Sequence, residues 1–183
     1  MGNFFDNVFT NKEDQKWCEV LNWLLSEERF KAEIWKQNNG SLKTEFTNRL
    51  KQMEPINKNF HKYKSKDFQQ HIPQKPKSKR SIYVIFTSAY VNKKKLGGGE
   101  SLLKHIRNGI AHGNVDIIGN KNQEQYIEIK DYKADGEQTA YIYFPLNCIV
   151  EIYDLYKELE NNGKPPKGKQ KSNKSKGKKP LTN

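Results

Sequence analysis

Trp17, Val20, Leu21 and Leu24 recur at i, i+3, i+4, i+7 and predict an amphipathic helix from about Glu13 to Lys36, with Thr10 and Glu13 at the spacing of a capping box. After the turn Asn38-Asn39-Gly40, Leu42, Phe46, Leu50 and Met53 repeat at the same period and predict a second helix that Pro55 ends. Ile82 to Val91 is two-sided: its β-branched and aromatic content reads as a strand, whereas Ile82, Ile85, Phe86 and Ala89 fit one helical face. The run Gly97-Gly98-Gly99 then breaks the chain, as a turn or hinge. It precedes a helix whose apolar side is Leu102, Leu103, Ile106 and Ile110, with Glu100 in the first turn and Gly113 at the end. Residues near Gln125 to Tyr132 and Thr139 to Phe144 predict a β-hairpin, with Ala134-Asp135-Gly136 as its turn and Pro145 closing it. Asn147 is placed to cap a last helix in which Ile149, Ile152, Tyr156 and Leu159 face the core, and Gly163 ends it.

Composition narrows the class. The 183 residues suit one domain with extensions, and the modest 34% hydrophobic content is offset by nine Phe, nine Tyr and three Trp, which bury large areas from few positions. No apolar run approaches the roughly 20 residues of a membrane span. The start MGNFFDNVFT lacks the basic and apolar regions of a signal peptide, so a cytoplasmic location without membrane partners is expected. Cys18 and Cys148 are too few for a disulfide framework or a zinc site and read as buried free thiols.

The net charge of +12 is unevenly spread. Residues 163–183 carry eight lysines and no acid, and Lys58 to Arg80 carries seven lysines and one arginine against Asp67. The remainder is slightly acidic. A body over residues 1–162 with a basic loop at 58–80, followed by a disordered lysine-rich tail at 163–183, is the expected organisation. Lys75, Lys77, Lys79 and Arg80 in the loop, Lys104, and Lys174, Lys176, Lys178 and Lys179 in the tail are candidate phosphate contacts. Phe60, Tyr63 and Phe68, interleaved with lysines, suit stacking on unpaired bases, as well as an ordinary exposed loop.

The chemistry concentrates in LLKHIRNGIAHGN, Leu102 to Asn114. Histidine exchanges protons near neutral pH, and arginine is a permanent forked cation suited to a phosphate whose charge grows during reaction. At about 100° per residue, Lys104, His105, Asn108 and His112 share the side opposite the leucines, and Arg107 sits at the border. Asn108 and His112 are neighbours, but Arg107 and His112 lie about 140° apart around the axis. One helix converges them poorly, whereas a second copy related by two-fold symmetry brings both pairs to one cleft and supplies two histidines. Cleavage of RNA by its own 2′-OH needs a base and an acid at once, which one imidazole cannot be. A homodimer follows.

Arg107-Asn108-x-x-Ala111-His112-Gly113 resembles the R-N-x-x-x-H form of the motif of the HEPN superfamily, small helical proteins of toxin, abortive-infection and CRISPR-effector systems. The resemblance implies a mainly α fold, a helical bundle with a β-hairpin insertion, and it tips Ile82 to Val91 towards helix. It implies a metal-independent endoribonuclease without cofactors, with Arg107 and His112 catalytic, Asn108 a supporting polar residue and His105 a residue that could line the cleft. RNA, a second copy of the chain and a cognate antitoxin are the partners it implies. A noncatalytic RNA- or antitoxin-binding module is the competing class. A third reading comes from Asp116 followed by Glu128-Ile129-Lys130, which is similar to the D...(D/E)-x-K pattern of Mg²⁺-dependent nucleases and equally to any half-exposed strand.

Overall fold

The computed structural model describes residues 14–26, 40–74, 81–119 and 124–162. In chain order these form α1 (Asp14–Leu25), α2 (Gly40–Gln52), β1 (Phe60–Tyr63), the single turn α3 (Ser65–Phe68), β2 (Tyr83–Thr87), β3 (Tyr90–Val91), β4 (Lys94–Lys95), α4 (Gly98–Ala111), β5 (Val115–Ile118), β6 (Tyr126–Tyr132), β7 (Gln138–Pro145) and α5 (Cys148–Asn162). A five-stranded sheet runs in the order β1-β2-β7-β6-β5, with β1 and β2 parallel and the other neighbours antiparallel. β3 and β4 form a separate small hairpin.

The expected helical bundle with a hairpin insertion is thereby corrected to a mixed α/β fold. The expected hairpin exists, as β6 and β7, but it is the centre of a sheet. The largest difference lies at Ile82 to Val91, which forms strand at Tyr83–Thr87 and Tyr90–Val91 and no helix. Val84 and Phe86 face the helical layer while Ile85 is buried on the reverse, so the segment is apolar on both sides and imitates a helix by hydrophobicity alone. Residues 57–74 are likewise not a basic loop. Phe60 packs edge-to-face on Phe86 with ring centroids 5.1 Å apart, Phe68 is fully buried, and Tyr63 stacks on His71 at 3.8 Å. The aromatics expected to meet bases are consumed by the fold.

One face of the sheet carries the main core. Val84, Phe86, Ile127, Ile129, Ala140, Ile142 and Phe144 meet the inner faces of α1, α2, α4 and α5. The stripes Trp17/Val20/Leu21/Leu24 and Phe46/Leu50 are buried there as their spacing predicts, as are Ile149, Ile152, Tyr156 and Leu159 of α5. The reverse face holds a smaller cluster of Tyr126, Tyr141 and Tyr143, with Ile72, Tyr83 and Ile118 packed against it. Cys148 is buried in the core, where desolvation pushes its thiol up to about 12, but Cys18 is exposed rather than buried as expected. The tail, Thr10, Glu13, Asn38, Asn39, Lys75, Lys77, Lys79, Arg80, Lys174, Lys176, Lys178 and Lys179 lie outside the described residues, as do residues 27–36 of the first predicted helix.

The closest approach of helix to sheet is made by a glycine. A Cβ at Gly109 would stand 2.3 Å from Cγ2 of Ile129 and 2.9 Å from the backbone oxygen of Lys130. Backbone cannot swing away, so Gly109→Ala is expected to destabilise the fold by about 1–3 kcal/mol, the scale of overpacking. Gly40→Ala, which meets nothing within 4 Å, is expected to leave stability unchanged or raised. Urea unfolding of the two variants measures the contrast.

Candidate functional site

α4 is buried on two sides, which explains its unusual pattern. Leu102, Leu103, Ile106 and Ile110 enter the main core, while Ser101, His105 and Gly109, spaced four apart, face the sheet and are also buried. Beyond Gly98, only Lys104, Arg107 and Asn108 of the helix are half-exposed, and Ala111 and the C-cap His112 are exposed. The polar-looking side of the helix is thus a packing side of small residues with one buried histidine. A narrow stripe remains for solvent.

The helix is held at both ends. Glu100 Oε2 accepts the Gly97 N–H at 2.8 Å, and the Gly99 N–H donates to Thr47 Oγ1 at 3.0 Å. The glycine run is therefore the start of the helix as well as a break, since a Cβ at Gly99 would lie 2.7 Å from the Phe46 ring. At the far end Gly113, with φ of +69°, turns the chain out, and the Asn114 N–H donates to the Gly109 carbonyl at 2.8 Å. His112 occupies the C-cap, its N–H donating to the Asn108 carbonyl at 2.9 Å. Its ring makes no hydrogen bond among the described residues.

His105 is not in a cleft. It is 4% exposed, Nε2 lies 3.0 Å from the Thr87 carbonyl oxygen and Nδ1 lies 2.7 Å from Asp131 Oδ2. A carbonyl oxygen only accepts, so Nε2 carries hydrogen, and a hydrogen bond between Nδ1 and the carboxyl group of Asp131 closes the other side of the ring, with both side chains almost fully buried. Asp131 takes two further donors. Tyr132 N–H reaches Oδ1 at 3.0 Å and Asn108 Nδ2 reaches Oδ2 at 3.2 Å.

Asn108 passes this order outward. Its amide nitrogen is committed to Asp131, so its Oδ1 faces out and accepts from the Arg107 guanidinium at 3.2 Å. Arg107 is thus tethered through Asn108 and Asp131 to the buried His105. No hydrogen bond joins Arg107 to His112 within one chain, in keeping with their separation around the axis. Lys104 adds a second cation. Burial first, and then the charge of Arg107, pulls its pKa below the ordinary lysine range, while Asp131 opposes this.

Asp131 and Thr87 are the residues that sequence reasoning missed. A signal was present for the first. In Tyr126–Tyr132 the inward phase reads Ile127, Ile129, Asp131, and an acid in the core phase of a strand calls for a buried partner.

The three residues of the metal-dependent reading do meet. Asp116 pairs with Glu128 across β5 and β6, and Lys130 Nζ lies 2.8 Å from Glu128 Oε2. Tyr141 donates to the other Glu128 oxygen at 2.8 Å, so both carboxylate oxygens are already engaged. No group of three or more His, Cys, Asp or Glu side chains suited to a metal ion occurs among the described residues. Among them, too, no helix is long and apolar enough to cross a membrane.

Residues 19–163, most of the chain, match the family described as HEPN pEK499 p136. No curated protein and no solved structure matches the chain.

Proposed function

The chain belongs to the HEPN family, and from that premise we propose that it is a metal-independent endoribonuclease of toxin or antiphage-defence type, cutting single-stranded or loop RNA at a site shared by two copies. The observation that carries this reading is the tether Asp131–Asn108–Arg107, which fixes a guanidinium on the exposed stripe of the helix that ends in the solvent-facing His112. A fixed cation and an imidazole with no hydrogen bond among the described residues, brought together from two copies, supply the charge and the proton transfer that a pentavalent phosphorane requires.

The two-fold arrangement supplies the second imidazole. One His112 takes the proton of the 2′-OH, and O2′ attacks phosphorus. The 5′-oxygen leaves with a proton from His112 of the partner subunit. The products are a 2′,3′-cyclic phosphate and a 5′-hydroxyl, and the histidines have exchanged roles. The Arg107 guanidiniums bear the charge on the equatorial oxygens, and Asn108 sets their direction. His105 stays out of the reaction, because both its nitrogens are committed.

The test is cleavage in EDTA. Purified protein is expected to fragment a single-stranded RNA with all divalent ions chelated, and to sediment as a dimer. RNA left intact under all conditions would put the noncatalytic binding module in its place. Activity that appears only with Mg²⁺ and vanishes in Lys130→Ala would shift the chemistry to Asp116, Glu128 and Lys130.

A further inference from the structure

Resting on the ribonuclease reading, we propose that the β3–β4 hairpin is the landing site for the RNA strand, which runs from its lysines past Tyr90 and Lys104 to Arg107 and His112. The described residues, which carry no net charge in sum, gather cations here. Lys93, Lys94 and Lys95 follow one another in the hairpin and all are exposed. Asn92 and Lys93 form its turn with φ of 48° and 64°. Asparagine adopts that left-handed conformation readily, whereas lysine does so at a cost that glycine would avoid. The turn thus keeps a charge where the backbone favours none.

The cations continue on both sides. Tyr90 pairs directly with Lys95, and Lys104 Nζ donates to the Tyr90 carbonyl, tying the hairpin to α4 one turn before Arg107. On the other side Lys62 Nζ donates to the Leu96 carbonyl at 3.3 Å. Burial first, then the charges of Lys95 and Lys51, lower its pKa. Glu100 opposes this, but its carboxylate is already engaged by the Gly97 N–H and, at 3.5 Å, by Lys43. Lys62 is thus repelled by Lys95 and Lys51, and Lys104 by Arg107. A polyanion laid along these cations relieves that repulsion.

Tyr90 indicates the kind of polyanion. It is 54% exposed, the most exposed large apolar side chain among the described residues, and stands between Lys95 and Lys104. A ring set between cations binds unpaired bases through stacking while the lysines take the phosphates. A duplex, with its bases already stacked, leaves that ring unused. The stripe from Lys104 to His112 covers about 12 Å of helix and leads the backbone to the proposed scissile position.

The experiment follows anisotropy of a fluorescein-labelled 2′-O-methyl oligouridine of about 12 nucleotides, within the usual single-strand site size. This probe lacks the attacking hydroxyl, so binding is read apart from cleavage. Full-length protein is compared with Lys93→Gln/Lys94→Gln/Lys95→Gln and with a control of equal charge change, Lys16→Gln/Lys133→Gln/Lys157→Gln, whose lysines are already paired with Asp154, Glu137 and Glu160. The hairpin variant is expected to make the slope of log K against log salt shallower by about 2, at roughly 0.7 per phosphate. The control should change it far less. Tyr90→Ala is expected to weaken binding roughly fivefold or more with the slope unchanged, because it removes stacking and no charge. Equal slopes for the hairpin variant and the control, or no loss in Tyr90→Ala, would overturn the proposal. Hairpin-dependent binding by a protein that cuts no RNA would uphold the track and defeat the nuclease reading.

Discussion

Alanine at His112 is expected to lower RNA cleavage by at least about 10²-fold, the scale of losing a general acid or base, with unfolding unchanged. The stability half follows from the structure: the ring is exposed and makes no hydrogen bond among the described residues, and the cap is closed by backbone bonds that alanine keeps. The activity half follows from the proposal, in which each site uses the group twice. Arg107→Ala is expected to lose a similar amount, as removal of one charge-stabilising donor does elsewhere. Its folding should also be spared, since its hydrogen bond is to the neighbouring Asn108 at a half-exposed position. Mixing the two inactive chains offers a sharper readout: a mixed dimer holds one Arg107 and one His112, and since one imidazole cannot be base and acid at once, no recovery is expected from a site that needs two. A folded His112→Ala protein with near-normal activity would end the mechanism.

Asp131→Ala is expected to have the largest effect on stability. It leaves the His105 ring, 4% exposed, with only the Thr87 carbonyl, and orphans the Asn108 amide on the same side. Breaking a buried pair in this way costs about 3–5 kcal/mol. Removing both partners differs: His105→Leu/Asp131→Val replaces the pair by apolar groups and is expected to recover most of that stability. It does not recover the tether. Asn108 loses its fixed partner, so cleavage should stay depressed in a protein that is again folded, since small misplacements of a reacting group cost up to about 10²-fold. Urea unfolding measures the first effect, and turnover at saturating RNA measures the second. A double variant with normal turnover would reduce Asp131 to a structural acid.

The candidate site was legible in outline. The motif helix and its end at Gly113 follow from periodicity and local backbone rules, and so do the β6–β7 hairpin and α5, whereas the helix starts within the glycine run and not after it. What the helical wheel could not show is that α4 is covered on two sides. The side carrying His105 is polar by composition, but Ser101 and Gly109 are small because a sheet lies against them, not because water does. The sheet itself was hidden for related reasons. β2 is apolar on both faces and lost its alternation, β5 spans only Val115–Ile118, and β1 is four residues set among lysines around a half-buried Phe60. Net charge misled by being summed. The described residues balance to zero, yet cations are gathered on the hairpin and α4, an arrangement that only the fold creates.

The most direct measurement is the end chemistry of RNA cut in EDTA. Attack by the 2′-OH, with His112 from two subunits trading the protons, requires fragments that carry 2′,3′-cyclic phosphates and 5′-hydroxyls. A substrate with 2′-deoxyribose at the cleavage position should then resist. Labelling of the 5′ ends without prior phosphatase treatment, together with mass spectrometry of the 3′ ends, reads both. Fragments bearing 5′-phosphates, formed only when Mg²⁺ is supplied and formed equally from the deoxy-substituted strand, would contradict the account, because water and not the RNA's own hydroxyl would then be the nucleophile.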